Sequence, residues 1–311
     1  MKIIKTTLFL LSAICLLSSC RDYQGEVRIP AYLHLDHIKV VDDPSATLSP
    51  ETGFFTSDID AIQIEIWFDG VDTTTRLGTY QLPCIIPVLE NKNISKMVIY
   101  PFVKQSGISS TRIYYPYYKP ITLTNIPLTP DSITNLGTQQ LIDGNMLWTL
   151  NAQYFGTPPM KVITSEFFEP GSYGLIFDTL LRRETNDNNA CSGQGYGVVE
   201  VPSSATEKMF FITERFEVND PTKYLYLELD YWSDVRLTVG MESAFNVGGN
   251  NVTVPEMTMY DNDGWTKMYI NLGGIWGHFN HNPNFRIYFN ALNPEKKDAK
   301  VRIDNVKLIT I

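Results

Sequence analysis

Aromatic side chains fall at strand ends or in loops of the second half of this sequence, at Tyr173, Tyr196, Tyr231, Trp232 and Trp276. Flat indole and phenol rings stack on the CH-rich faces of sugar rings, while polar neighbours hydrogen-bond the sugar hydroxyls. The alternative for each ring is a place in the hydrophobic core, where most aromatic side chains of a β-protein lie. The ligand-binding hypothesis rests on these five residues.

A tyrosine cluster in the first half, YYPYY, raises a different use of aromatic rings. It places Tyr114, Tyr115, Tyr117 and Tyr118 along an extended segment. Side chains alternate between the two faces of a strand, so some of these rings are expected to point outward. An exposed aromatic patch suits a protein interface. We therefore expect these four tyrosines to form a partner interface.

Catalytic motifs are sparse. The Gly-x-Ser-x-Gly turn of serine esterases is missing. His34 and His37 would point to opposite faces of a strand, and His278 and His281 lie in a loop without an obvious third zinc ligand. Paired carboxylates for glycoside hydrolysis depend on spatial separation, which a sequence does not show. The prediction is a protein that is not an enzyme and requires no cofactor.

A period of two dominates the elements that must position these residues. In DAIQIEIWFDG, Ile62, Ile64 and Ile66 share one face while Gln63 and Glu65 share the other. The segment YLYLELDYW alternates in the same way, with its leucines on one face. Many short strands separated by Pro, Gly, Asn and Asp indicate an all-β protein.

The chain divides near FGTPPM, where prolines and a glycine interrupt the alternation. We predict a signal peptide at residues 1–19, a tether at 20–28, an N-terminal immunoglobulin-like β-sandwich at 29–157 and a C-terminal jelly-roll β-sandwich at 158–311.

Charge and cysteines limit the partners. The formal net charge of -9 argues against nucleic acid, because phosphate binding needs clustered Lys and Arg. Cys84 is expected to pack as a small apolar residue. Whether it pairs with Cys191 stays open, because two cysteines do not make a disulfide framework.

Residues 1–20 show the features of an export signal: lysines at positions 2 and 5, an apolar run, and then LSSC. That run is too short to span a bilayer, which needs roughly twenty apolar residues. The segment LSSC resembles the lipobox of bacterial lipoproteins, in which the cysteine is joined to diacylglycerol. The resemblance implies lipidation of Cys20, a membrane partner through the lipid, and a place on the outer membrane. Early acids, Asp22 and Glu26, resemble a surface-export signal of the Bacteroidota.

The closing strands, DGWTKMYINL, FRIYFNAL and VRIDNVKLI, resemble galactose-binding-like jelly rolls, the scaffold of many carbohydrate-binding modules. Many modules of this kind hold a structural calcium ion between an acid near the first strand and an acid in the last strand. The positions that match here are Glu169 and Asp304.

The function hypotheses remain three. The first is a non-catalytic envelope lipoprotein that presents a binding surface for glycan. The second is an accessory subunit of an outer-membrane transport, secretion or assembly complex, bound through the tyrosine cluster. The third is a glycoside hydrolase with two unidentified acids.

Overall fold

The computed structural model describes residues 28–43, 55–90, 92–156, 159–171, 176–185, 188–217, 224–243, 251–276 and 284–311. The expected sites at Cys20 and Tyr173, and the histidines at positions 278 and 281, lie outside these ranges. Within them, no helix has the length and apolar composition needed to cross a membrane.

Residues 28–156, called the N-terminal unit below, form a β-sandwich. Its strands are β1 (Ala31–Leu35), β2 (His37–Val40), β3 (Ala61–Phe68), β4 (Thr75–Gln81), β5 (Cys84–Val88), β6 (Ile94–Lys104), β7 (Arg112–Tyr114), β8 (Ile121–Ile126), β9 (Ile133–Asn135), β10 (Thr138–Ile142) and β11 (Asn145–Ala152). They pair in the orders β5-β1-β9, β10-β11-β2 and β4-β3-β6-β7, with β8 also on β6. The pairs β1 with β9 and β2 with β11 are parallel.

The alternation read from the sequence is confirmed in β3. Ile62, Ile64 and Ile66 are fully buried, while Gln63 and Glu65 are partly exposed. Burying one face of each strand removes apolar surface from water, which is the main favourable contribution to the sandwich. Cys84 packs partly buried against this core and is a free thiol, as is Cys191.

Residues 159–311, the C-terminal unit, form a second β-sandwich. Its elements are β12 (Lys161–Glu166), β13 (Arg182–Thr185), β14 (Gly195–Val201), β15 (Glu207–Phe211), β16 (Phe216–Glu217), β17 (Leu225–Ser233), β18 (Arg236–Ser243), β19 (Val252–Met259), β20 (Thr266–Asn271), a short helix α1 (Gly273–Trp276), β21 (Asn284–Leu292) and β22 (Ala299–Thr310).

Two antiparallel sheets enclose the core of the C-terminal unit. One has the order β13-β14-β22-β17-β20, with β12 on β22, and the other has the order β15-β21-β18-β19, with β16 on β21. Leu227 and Leu229 of the first sheet and Ile287 and Phe289 of the second are all fully buried between them. This is the two-sheet arrangement of a jelly roll, and it confirms the all-β class predicted from the sequence.

The domain boundary predicted from the sequence stays a prediction. The predicted boundary between residues 157 and 158 falls on two residues outside the described ranges. In the described part of the chain, the strand ladders join strands of the same unit, and an isolated bridge links Gln105 to Tyr269.

The tyrosine cluster corrects the interface prediction. Tyr115, Tyr117 and Tyr118 are fully buried, and the surface that they contact belongs to the C-terminal unit of the same chain. Tyr115 packs edge-to-face on Tyr226 with ring centroids 5.4 Å apart. Tyr114, which was expected beside them, stays within its own unit and donates its hydroxyl to the Tyr118 carbonyl.

Tyrosine hydroxyl groups of the N-terminal unit donate to a buried carboxylate of the C-terminal unit. Tyr115 and Tyr154 donate to the two carboxylate oxygens of Glu228, at 2.6 and 2.8 Å. Lys267 lies 3.4 Å from the same carboxylate, and Lys307 lies 4.0 Å from it. Burial alone raises the pKa of Glu228, but the two ammonium groups and the two hydroxyls outweigh it and lower the pKa below its ordinary value.

Replacing Tyr115 by Phe is expected to destabilise the protein by about 2 kcal/mol, because one oxygen of a fully buried carboxylate loses its donor. The measurement is the free energy of unfolding in denaturant. Tyr100→Phe is the matched control, since the Tyr100 hydroxyl donates to Glu65 at 3.2 Å on an exposed strand face. Equal losses of stability in the two variants would contradict the role of the Glu228 network.

Candidate functional site

The first sheet of the C-terminal unit has an outer face, the side that points away from the core. Strand alternation in β17 places Tyr226, Glu228, Asp230 and Trp232 on this face. Register with the neighbouring strands arranges the outer face in rows. Trp232 pairs with Arg302 of β22, and two residues away Asp230 pairs with Asp304 of β22 and Lys267 of β20.

The rows differ in what covers them. Tyr226 and Glu228 lie beneath the N-terminal unit and are fully buried. Trp232 and Arg302 lie beyond that unit and are partly exposed. The outer face therefore changes along its strands from a covered, tyrosine-rich end to an open end with a tryptophan and an arginine.

Three rings form an aromatic cluster at the open end: Trp232, Trp265 and Tyr196. The centroid of Trp265 lies 6.2 Å from that of Trp232 and 5.8 Å from that of Tyr196, both in edge-to-face geometry. The Trp265 indole nitrogen donates to the Asn189 carbonyl at 2.7 Å, which fixes the ring. The guanidinium carbon of Arg302 lies 4.3 Å from the Trp232 centroid.

Glycines in β14 allow close packing on the core side of this strand. A Cβ atom added at Gly197 would come within 2.7 Å of the Phe168 ring on the core side. Tyr196 precedes it and points to the outer face, where it is largely buried against Trp265. The glycine-rich segment around Tyr196 is therefore explained by close packing.

A cavity of about 580 Å³ opens next to the cluster. Arg302, whose guanidinium lies over the Trp232 ring, is one of the residues that line it. Its walls carry charges of both signs. Asp234 accepts from Arg302 Nη1 at 3.3 Å, and Glu200 accepts from Arg182 Nη2 at 2.7 Å. These groups offer both donors and acceptors to a ligand lying over the rings.

A second cavity, of about 660 Å³, lies between the two units. Asp230, Lys267 and Trp265 line it from the C-terminal unit, and His37 and Asp143 line it from the N-terminal unit. We refer to it below as the interdomain cavity. Trp265 thus borders both the aromatic cluster and this cavity.

The structure brings together two of the five residues expected to bind a ligand, Trp232 and Tyr196. Tyr231 instead belongs to the core, and its hydroxyl donates to the Tyr260 carbonyl at 3.1 Å. Trp276 follows β20 and lies at the opposite end of β17 from Trp232, because the backbone nitrogen of Leu272 bonds to the Leu225 carbonyl.

Trp265 is the residue that the sequence reasoning missed. It stands directly before β20, whose register pairs Thr266 with Tyr231 and so sets Trp265 beside Trp232. The signal was present in DGWTKMYINL, since a tryptophan at the first position of a strand lies at the end of its sheet.

The two acids proposed for calcium contact the same loop. Glu169 accepts from the backbone nitrogens of Gln194 and Gly195 at 2.8 and 3.3 Å. Asp304 accepts from that of Ser192 at 3.4 Å. Across the described ranges, no three His, Cys, Asp or Glu side chains group closely enough to hold a metal ion. Calcium binding therefore stays a prediction.

The second sheet of the C-terminal unit carries a separate charged group on its own outer side. Glu242 accepts from Arg215 at 2.9 Å and from Arg286 at 2.8 Å. The Arg286 guanidinium lies 3.8 Å from the centroid of Phe211. This face offers an aromatic residue that is independent of the aromatic cluster.

No protein-family model matches this chain, and no curated protein matches its sequence. Among solved structures, it is similar to the family 30 carbohydrate-binding module of a cellulosomal cellulase of Clostridium thermocellum, at 14% identity and a TM-score of 0.35, over 48% of this chain and 92% of that one. It is also similar to a family 11 module from the same organism, in complex with a β-1,3-1,4-mixed-linked tetrasaccharide. The identity is 13% and the TM-score 0.33, over 46% of this chain and 94% of that one. The CBM22-1 xylan-binding domain from Paenibacillus barcinonensis is similar at 11% identity and a TM-score of 0.34, over 49% of this chain and 95% of that one. Similarity at this level transfers neither a ligand nor a site.

Asp304 predicts a pH dependence of stability. Burial raises the pKa of its carboxyl to about 8, and the neighbouring charges of Asp230 and Glu169 add to that effect. The folded state then holds a proton that the unfolded state, with an ordinary pKa near ~3.9, has released. Stability is therefore expected to fall as pH rises from about 4 to about 8.

The test compares unfolding free energies across that pH range for the wild type and Asp304→Asn. The variant cannot titrate at this position and is expected to show a flatter profile. Asp298→Asn is the control, because a backbone bond from Ser203 lowers the pKa of that exposed acid. An unchanged slope in Asp304→Asn would contradict the assignment.

Proposed function

We propose that this chain is a non-catalytic glycan-binding protein that is held at the cell envelope by a lipid on Cys20. The aromatic cluster at the open end of the outer face is the ligand site. Its position supports the proposal, because the N-terminal unit covers the other end of the same face and leaves Trp232 and Trp265 partly exposed.

The chemistry of the site suits a sugar. Indole rings provide flat apolar surfaces for the CH faces of a pyranose, and the indole nitrogen of Trp265 is occupied by the Asn189 carbonyl. Arg302, Asp234 and Glu200 stand beside the rings with donors and acceptors for hydroxyl groups. A few polar groups around an aromatic surface are the usual composition of a small-ligand site.

Binding is favoured over hydrolysis by the state of the nearby acids. Asp234 is bonded to Arg302 and to the backbone nitrogen of Lys300, and Glu200 is bonded to Arg182. These hydrogen bonds occupy carboxylate oxygens that a general acid would need for the glycosidic oxygen. A glycoside hydrolase therefore finds no support in this group.

The accessory-subunit hypothesis loses its proposed docking residues. Tyr115, Tyr117 and Tyr118 are buried against the C-terminal unit, so they are not available to another protein. The proposed anchor does not depend on them. It rests on the export signal and the LSSC segment, which precede the described residues. Surface exposure at the outer membrane is part of the same proposal.

Screening the chain from Arg21 onward against a glycan array is expected to give specific binding. Trp232→Ala and Trp265→Ala should each weaken it by about tenfold or more, which corresponds to about 1.4 kcal/mol. Isothermal titration with the best array sugar measures the change.

Two controls locate the site. Trp67→Ala removes a partly exposed tryptophan of the N-terminal unit that also lies under a cation, Lys96, at 4.8 Å. Phe211→Ala removes the ring on the second sheet. Loss of binding in Phe211→Ala with none in Trp232→Ala would move the site to that sheet, and a blank array would overturn the glycan proposal.

Membrane attachment is expected to depend on Cys20. In the full chain expressed in a bacterium with a lipoprotein pathway, Cys20→Ala should shift the protein from the membrane fraction to the soluble fraction. Cys15→Ala is the control, since that cysteine lies inside the apolar run. Equal membrane recovery of Cys20→Ala and wild type would contradict lipidation.

A further inference from the structure

Trp265 connects the aromatic cluster to the interdomain cavity. Its ring contacts Trp232 and Tyr196 in the cluster, and the residue also lines the interdomain cavity. The two residues that follow it, Thr266 and Lys267, line the same cavity. A ligand stacked on the cluster therefore has the interdomain cavity as its neighbour.

Strand register gives the direction and length of this path. The cavity at Arg302 includes Asp234, and the interdomain cavity includes Asp230, four residues earlier on the same chain segment. Trp232 lies between them. Asp230 lies in β17 and Asp234 directly follows that strand, so at about 3.3 Å per strand residue the two aspartates are separated by at most roughly 13 Å along the outer face. That distance is longer than a single sugar ring and suits a chain of several rings.

The far wall of this path belongs to the N-terminal unit. His37 of β2 and the hairpin between β10 and β11 face the interdomain cavity. Leu141, near the tip of that hairpin, lines the cavity and is 68% exposed. Leu141 and Ile142 of this hairpin give the interdomain cavity an apolar wall beside its polar groups.

The polar groups of the cavity indicate the class of ligand. Ser57 supplies a hydroxyl, and the imidazole of His37 supplies a donor and an acceptor. The Thr56 hydroxyl donates to Asp230 at 2.6 Å and accepts from Lys267 at 3.1 Å. Burial lowers the pKa of His37, which keeps the ring neutral at pH 7. Three aspartates, Asp58, Asp143 and Asp230, line the cavity together with two lysines, Lys39 and Lys267, so the cavity does not favour a polyanion.

We propose that the two units share one glycan site. A neutral oligosaccharide runs along the outer face from the cavity at Arg302, over Trp232 and Trp265, into the interdomain cavity. There His37 and Leu141 of the N-terminal unit bind its far end. This inference rests on the proposed function and specifies its substrate as a chain rather than a terminal sugar.

The test is titration calorimetry with neutral gluco-, xylo-, manno- and galacto-oligosaccharides, from the disaccharide to the hexasaccharide. The chain from Arg21 onward contains both units. Affinity for the recognised series is expected to rise by about tenfold or more with length. His37→Ala and Leu141→Ser should each lower the hexasaccharide affinity by about tenfold, and so remove most of that gain.

Matched controls come from the same unit. His34→Ala removes a histidine that bonds to Asn135 and Asp36 on the β5-β1-β9 sheet, and Ile85→Ser removes an apolar side chain of that sheet that is 56% exposed. Neither control is expected to change the hexasaccharide affinity.

The outcomes separate the two proposals. If no oligosaccharide binds, the proposed function falls, and the shared site falls with it. If binding depends on Trp232 but does not grow with length, or is unaffected in His37→Ala and Leu141→Ser, the function stands and the shared site is overturned. Stronger binding of oligogalacturonate than of every neutral series would also overturn it.

Discussion

The carboxylate of Glu228 is the group on which the arrangement of the two units depends. It is fully buried, and a buried charge is costly unless donors and opposite charges surround it. Its own unit supplies Lys267 and Lys307, while the other unit supplies the hydroxyls of Tyr115 and Tyr154. Neither unit satisfies this charge by itself. The contact between them is therefore part of the fold.

Because of that contact, the two ends of the outer face have different roles. At the covered end, Tyr226, Tyr269 and Ile309 pack into the core of the N-terminal unit. At the open end, the same strands carry Trp232 and Arg302 into partial exposure. A single alternating strand such as β17 thus contributes to a core, a charge network and a candidate binding surface within nine residues.

Sequence reasoning reached the fold because alternation has a direct physical cause. The isoleucines of β3 and the leucines of β17 are buried where the pattern put them. It also placed Glu228 on the face opposite the leucines, but a pattern of period two cannot say what covers a face. The same limit explains the tyrosine cluster, whose outward rings were expected to meet another protein. Predicting that Trp265 lies beside Trp232 required the register of β20 against β17, which depends on contacts between distant residues.

The buried contact between the two units also limits how this chain can be rearranged in evolution. Many β-sandwiches move between proteins as independent modules, because their outer surfaces are already compatible with water. A C-terminal sandwich inherited without its companion would expose Tyr226, Tyr269, Glu228 and Lys307 together, all of them now fully buried. Tyrosine rings beside unsatisfied charges make a surface prone to association. The two sandwiches are thus expected to be gained, lost and duplicated as a pair. The contact between them disfavours domain shuffling.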